Sequence, residues 1–145
     1  MRCDLSQIAE VSDVLDHDSV FVPVNGKKCD NPGVSAIAAL IRSDVYVLMP
    51  NEGSVIIYVP YDENIYNVHI AFLPGYRGKQ AIDMLKKTFK WMFDNTTCMK
   101  IIGFEYMKNR PAIRFIGCLG VDREGILKNV NGKGDDMVVF GHSKP

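Results

Sequence analysis

Residues 66–87 are the most informative part of the chain, and they read YNVHIAFLPGYRGKQAIDMLKK. An apolar run ends at Pro74, a short turn with two glycines follows, and an amphipathic pattern begins at once. This order predicts a strand, a tight turn and a helix in direct succession. The first N–H groups of a helix have no partner within it, and the helix dipole favours negative charge there. Because Arg77 and Lys79 add positive charge at the same point, the turn is a candidate site for a pyrophosphate.

The segments before this turn predict three strands after a less regular N-terminal region. Residues 45–49 and 54–59 predict a hairpin, and residues 66–73 predict a third strand. In the N-terminal region, apolar residues at helical spacing over 5–15 predict a short helix. Residues 20–24 fit a strand or an extended segment, since Pro23 limits any role in a ladder.

One segment leaves its type of element open, and the later residues predict two helices and a strand. Residues 34–41 are small and apolar, and they fit either a helix or a buried connection. Residues 78–94 predict a helix with one apolar face, and residues 100–106 predict a strand buried on both faces. Asn109 is placed to cap a further helix, which Pro111 would begin.

The order of elements gives the fold class. A final hairpin is predicted over residues 125–141. The chain then alternates hairpin, strand, helix, strand, helix and hairpin. We therefore expect an α/β (α+β) fold, a mixed sheet with helices packed on it, in one domain over residues 1–145.

Composition excludes several classes of protein. The 145 residues include 17 basic and 17 acidic side chains, which argues against a surface for nucleic acid or acidic membrane. No run approaches the roughly 20 apolar residues that cross a bilayer, and the N-terminus lacks the apolar core of a signal peptide. We therefore expect a cytoplasmic protein without a membrane or nucleic-acid partner. The four cysteines form no Cys-x-x-Cys pair, so no metal site is predicted.

Two motifs resemble the GNAT superfamily of acyl-CoA-dependent N-acetyltransferases. AFLPGYRGK at residues 71–79 resembles the strand and pyrophosphate signature, and NRPAIRFIGCLGV at residues 109–121 resembles the helix beside the cofactor arm. The similarity covers residues 45–141. It implies a mostly antiparallel sheet with helices on both faces, in which the parallel strands 66–73 and 99–106 splay apart around acetyl-CoA. The implied reaction transfers acetyl to an amine, which the sequence does not identify.

The resemblance also implies which residues contact the cosubstrate. Backbone groups at Phe72 and Leu73 would meet pantetheine, N–H groups from Arg77 to Ile82 would meet the pyrophosphate, and Asn109 would approach from the second helix. The implied cofactor-binding residues are Phe72, Leu73, Arg77, Gly78, Lys79, Gln80, Ala81, Ile82 and Asn109. The amine pocket would be built by residues 16–44 and 60–65.

Three polar residues on the predicted strands are candidates for acid–base chemistry. His69 could deprotonate an amine near neutral pH if it faces the gap, although a histidine in a strand is more often a hydrogen-bonded structural residue. Glu105 and Tyr106 lie at the end of the next strand, where α/β folds bind ligands, and are rival candidates.

Three positions depart from the superfamily pattern. Gln80 and Ile82 stand where the signature has glycine or a small residue, and Ile82 would narrow the cradle. Ile116 stands where many members carry a tyrosine that acts as general acid. Another group or water would then protonate the leaving thiolate.

A closer resemblance is to a small phage-encoded branch of the same superfamily. Residues 68–78 are similar to its Val-His-Ile-x-Phe-Leu-Pro-x-Tyr-Arg-Gly run, and Trp91 to Phe93 are similar to a later aromatic cluster. Some members of that branch are head-assembly proteins of short-tailed phages. This resemblance implies an alternative role in particle assembly, in an infected host cell, with a virion protein as partner. The oligomeric state is left open.

Overall fold

A computed structural model describes all of residues 1–145 and contains a six-stranded sheet. The strands are β1 (Tyr46–Asn51), β2 (Ser54–Asp62), β3 (Ile65–Phe72), β4 (Lys100–Tyr106), β5 (Asp122–Leu127) and β6 (Met137–Ser143). The helices are α1 (Ile8–Leu15), α2 (Asp18–Asn25), α3 (Val34–Leu40), α4 (Lys79–Asn95) and α5 (Arg110–Gly117). Short 3-10 turns cover Leu5–Gln7 and Pro74–Tyr76.

The sheet is mostly antiparallel and has one parallel pair. Its strand order is β1-β2-β3-β4-β6-β5, and only β3 and β4 run parallel. They are joined by α4, the crossover that a parallel pair requires. The predicted α/β class, the order of elements and the splayed parallel pair are confirmed.

Helices cover both faces of the sheet. On one face α4 and α5 pack over an apolar cluster that includes Leu48, Ile56 and Phe72. On the other face α1 and α3 pack over a second cluster that includes Val55 and Ala71. Successive residues of a strand point to opposite faces, so alternate side chains of β2 and β3 supply the two clusters.

The helix α4 buries one side because its apolar residues recur at helical spacing. Ala81, Leu85, Phe89 and Met92 are all buried. The buried polar groups of Tyr58 and Thr88 satisfy each other in this layer, since the Tyr58 hydroxyl and Thr88 Oγ1 lie 2.7 Å apart. The predicted apolar face of this helix is confirmed.

The interpretation of residues 20–24 as a strand or extended segment is wrong, because they belong to α2. His17 caps this helix by accepting a hydrogen bond from the Ser19 N–H at 3.1 Å. Gly26 ends it with a φ of 74°, a left-handed conformation that suits glycine. The two caps stabilise the helix α2 even though Pro23 lies inside it. Residues 34–40, left open by the sequence, also form a helix.

Pro23 leaves one backbone carbonyl of α2 without its helical partner. A residue at position 23 would normally donate its N–H to the carbonyl of Ser19, but proline has no N–H. The Arg77 guanidinium occupies this place, with Nη2 3.5 Å from the Ser19 oxygen. The proline therefore allows a contact between α2 and the turn before α4.

The remaining features concern cysteines, metals and membranes. All four cysteines are free, with Cys3 and Cys98 buried and Cys118 exposed. No group of three or more His, Cys, Asp or Glu side chains is arranged to hold a metal ion. None of the helices combines the length and apolar character needed to cross a membrane.

We predict that Pro23→Ala raises stability, because alanine restores the missing N–H at an exposed helix position. The expected gain in the free energy of unfolding is about 1–3 kcal/mol. This figure is the cost of a proline inside a helix, reduced by the stability that proline contributes when it restricts the unfolded chain. Urea titration followed by circular dichroism measures it. Pro32→Ala, in the turn before α3, is the control and should bring no gain. A loss of stability in Pro23→Ala would contradict this account.

Candidate functional site

The parallel strands β3 and β4 pair only at their beginnings. Their register covers Ile65 with Lys100, Tyr66 with Ile101 and Asn67 with Ile102, and then stops. β3 continues to Phe72 and β4 to Tyr106 without further pairing between them. A gap therefore opens between the strands and extends to their carboxyl ends.

Peptide groups of β3 face this gap. The Leu73 N–H donates to the Gly53 carbonyl at 2.9 Å, on the side of β2. Since alternate residues of a strand direct their backbone groups to opposite neighbours, Val68, Ile70 and Phe72 direct theirs towards the gap. A ligand with amide groups could pair there as a third strand would.

The turn after β3 presents backbone N–H groups that no protein atom accepts. They belong to the consecutive residues Arg77, Gly78, Lys79 and Gln80. The next two amides, of Ala81 and Ile82, donate to the Gly78 carbonyl at 3.1 and 3.3 Å. The available donors are thus four of the six that the resemblance implies. Gly78 has a φ of 91°, which an L side chain rarely adopts.

The two unusual signature side chains are both engaged in contacts within the chain. Gln80 donates through Nε2 to the Gly75 carbonyl at 3.0 Å. Ile82 packs against the apolar cluster under α4. Neither side chain accepts a hydrogen bond from the four amides, and the narrowing expected from Ile82 stays a prediction.

The Arg77 side chain is already engaged within the chain. Its Nε and Nη2 donate to the Phe72 carbonyl at 3.2 and 3.1 Å, and Nη2 also reaches the Ser19 carbonyl. The guanidinium thus connects the end of β3 to α2. Lys79, two residues later, is exposed.

Tyr76 fixes the turn to the β1–β2 hairpin. Its hydroxyl donates to Glu52 Oε1 at 2.6 Å, and this contact raises the pKa of the phenol. Its ring lies against the backbone of Gly53, where a Cβ atom would overlap it. The hairpin tip therefore holds the turn that bears the free amides.

A cavity of about 360 Å³ passes through the gap from one face of the sheet to the other. Of its 21 lining residues, 16 are hydrophobic. On the side of α4 and α5 they include Val68, Ile70, Phe89, Ile101, Gly103, Glu105, Ile116, Leu119, Phe140 and His142. On the side of α1 and α2 they include Leu15, Val20, Val24, Val55, Ile57, His69, Ala71, Ile102 and Phe104.

His69 and Glu105 line this cavity from opposite faces of the sheet. His69 lies on the α1–α2 side, with Nε2 3.4 Å from Nδ2 of Asn67. Although the residue is exposed, the apolar wall around its ring lowers the pKa of the imidazole. Glu105 lies on the α5 side, where Oε1 accepts from the Tyr106 N–H at 3.0 Å and from Asn109 Nδ2 at 3.2 Å.

Tyr106 and Asn109 do not line the cavity. The Tyr106 ring lies under the Lys108 ammonium, 5.3 Å from it. Asn109 caps α5 by accepting from the Ala112 N–H and positions Glu105 through its amide. The structure therefore brings His69 and Glu105 to one cavity but leaves these two residues at its edge.

Sequence reasoning missed two features of the cavity wall. His142 on β6 lines it, and its ring centroid lies 5.5 Å from that of Phe89 and 5.7 Å from that of Phe93. Only the register of β6 against β4, with His142 opposite Ile101, places it there. The second feature is that Val20 and Val24, which fall in the residues 16–44 implied for the amine pocket, line the cavity from a helix.

The comparisons with known proteins identify the fold. No protein-family model matches the chain, and no curated protein sequence matches it. Solved structures do match, and a ribosomal-protein-S5-alanine acetyltransferase from Vibrio fischeri superposes with a TM-score of 0.76 at 16% identity, over 100% of this chain and 94% of that one. A GNAT-family acetyltransferase from Bacillus anthracis gives 0.75 at 16% identity, over 98% and 92%.

A third neighbour was solved with ligands. It is the spermidine N-acetyltransferase from Vibrio cholerae in complex with CoA and spermine, with a TM-score of 0.74 at 13% identity over 99% of this chain and 93% of that chain. The chain has the fold of GNAT-family acetyltransferases. Superpositions at identities this low show a shared fold alone.

We predict that Gly53→Ala destabilises the protein, because the added methyl group would overlap the Tyr76 ring. The expected cost in the free energy of unfolding is about 1–3 kcal/mol, typical of overpacking. Urea titration measures it. Gly75→Ala is the matched control, since a Cβ there meets no atom within 4 Å. Equal stability of the two variants would contradict the anchoring role of Tyr76.

Proposed function

We propose that this chain is an N-acetyltransferase that binds acetyl-CoA and transfers the acetyl group to a primary amine. The observation that carries the proposal is the end of β3–β4 pairing after Asn67 and Ile102, beside four consecutive free amides. A strand edge and a helix N-terminus, placed end to end, match an extended amide chain that carries a diphosphate.

The binding groups are mainly backbone atoms. The amides of Arg77 to Gln80 would hold the pyrophosphate, with Lys79 adding charge. The peptide groups of Ile70 and Phe72 would pair with the pantetheine arm, although the Phe72 carbonyl is shared with Arg77. The Leu73 N–H and the amides of Ala81 and Ile82 are bonded within the chain and contribute to the shape of the turn. Asn109 would act through Glu105 and the cap of α5.

The residues of the cavity supply the proton chemistry. Bound acetyl-CoA would supply an activated acetyl group, whose carbon–sulfur bond breaks as the bond to the amine nitrogen forms. His69, neutral at pH 7 because its pKa is lowered, would accept the proton that the amine gives up. Ile116 lines the cavity but has no proton to donate, so water would protonate the leaving thiolate.

We predict that acetyl-CoA raises the thermal unfolding temperature of the protein. A ligand that binds only the folded state adds about 2.7 kcal/mol of stability when its free concentration is about 100 times its dissociation constant. Lys79→Gln should weaken binding about tenfold, the worth of one charge-assisted contact. Lys133→Gln, in the distal β5–β6 turn, is the matched control and should bind as the wild type. Differential scanning fluorimetry and titration calorimetry are the measurements.

Absence of a shift at millimolar acetyl-CoA would remove the basis for acyl transfer. An equal loss in the Lys79 and Lys133 variants would show that binding reflects general charge and not the turn.

We predict that activity falls on acidification and that His69 is responsible. Because the pKa of His69 is lowered, the proton-accepting form persists below the usual imidazole range and is lost only as the pH falls through the lowered value. His69→Gln should reduce kcat/KM by about 10²–10⁴ and remove that inflection. The pH profile of kcat/KM is the measurement, with Glu105→Gln as comparison. If only Glu105→Gln removed the inflection, Glu105 would be the base.

A non-catalytic role in phage particle assembly is the second candidate, as the closer resemblance implies. Its motivation is the apolar Ile116 in the cavity wall. It requires binding to a virion protein and loss of particles without the gene, with no acetylation. Loss of that role in Lys79→Gln, with fold and partner binding intact, would argue against it. The cytoplasmic location stays a prediction.

A further inference from the structure

We infer that the amine acceptor is a small primary amine with an apolar, uncharged remainder, and that the cavity discriminates against diamines and polyamines. The inference rests on the proposed function and names the substrate class of the same site. It is carried by the lining of the cavity on the α1–α2 side.

On the α1–α2 side of the cavity, apolar side chains surround a single ionisable group, the imidazole of His69. Leu15, Val20 and Val24 come from α1 and α2, and Ile57 lies opposite His69 in the β2–β3 register. The other lining residues on this side are Val55, Ala71, Ile102 and Phe104. His69 alone can titrate there, and it can take one proton from one amine.

No carboxylate lines the cavity on this side, so none is placed there to pair with a second ammonium group. Glu105 is on the opposite face, and its Oε1 already accepts two hydrogen bonds. Asp16, which follows α1, accepts from the Gly33 N–H through Oδ2 at 2.8 Å, and its Oδ1 is buried without a partner. Asp18, at the start of α2, lies 3.5 Å from the Lys28 ammonium. Neither Asp16 nor Asp18 lines the cavity.

Charge and size then select the acceptor. An ammonium group buried without a partner is strongly disfavoured, whereas an alkyl or aryl group gains from leaving water. The reacting nitrogen avoids the penalty by entering as the neutral amine, and His69 accepts the proton that it loses as the bond to the acetyl carbon forms. The cavity of about 360 Å³ is small for a ligand site and must also hold the acyl arm. The acceptor is therefore limited to a short chain or a single ring.

The test compares hexylamine with hexamethylenediamine, which has the same six-carbon chain and a second terminal amine. Binding to the full chain is measured by titration calorimetry, and kcat/KM for acetylation is measured with acetyl-CoA. We expect hexylamine to bind and react at least about tenfold better, the minimum expected from burying an unpaired charge. Equal or better binding of the diamine, or no binding of hexylamine, overturns the inference.

A variant tests the reason for the preference. Val20→Asp places a carboxylate in the cavity wall, in the first turn of α2 where the helix dipole tolerates it. It should improve the relative binding of the diamine about tenfold by pairing with its second ammonium group. Val20→Asn, of similar size and polarity but neutral, is the matched control and should not. An equal effect of both variants would overturn the charge argument.

The readouts separate this inference from the proposed function. Binding of hexylamine without binding of acetyl-CoA would refute acyl transfer and leave the apolar amine pocket standing. Binding of acetyl-CoA together with a preference for the diamine would support acyl transfer and refute the apolar acceptor.

Discussion

The early end of β3–β4 pairing is the constraint on which the site depends. Unpaired backbone groups in a sheet are costly, so two neighbouring strands normally pair along their length. Here each strand is held on its other side, because β3 pairs with β2 from Ile65 to Phe72 and β4 pairs with β6 from Lys100 to Tyr106. With both strands fixed independently, the free edges face each other across the gap. The cavity is the result of this arrangement.

The turn at the end of β3 is held by contacts to the β1–β2 hairpin and to α2. Tyr76 binds Glu52 at the hairpin tip, and Arg77 joins Phe72 to the Ser19 carbonyl that Pro23 leaves free. These contacts use the side chains of the turn and leave its N–H groups unbonded. A preorganised set of donors costs little to use when an anion binds, since the loop is already ordered.

The sequence predicted the central elements well because their signals are local. Alternation gave the β1–β2 hairpin, the apolar stripe gave α4, and Asn109 with Pro111 marked α5. The helix α2 was missed because Val20 to Val24 with Pro23 has the composition of an edge strand, while its caps depend on the geometry of His17 and Gly26. The separation of His69 from Glu105 onto opposite faces follows from the Asn67–Ile102 register, which no local pattern shows.

The candidate site is made of backbone amides, so departures from the signature that the sequence resembles do not remove its donors. Backbone amides bind an anion whatever side chains they carry, provided that those side chains are directed elsewhere. Gln80 bonds to Gly75 and Ile82 joins the core, so both substitutions leave the donors free. Gly78 is the exception, because its φ of 91° strains any L side chain. A site built on backbone geometry constrains few side chains, which fits a chain that keeps the fold at 13–16% identity to its structural neighbours.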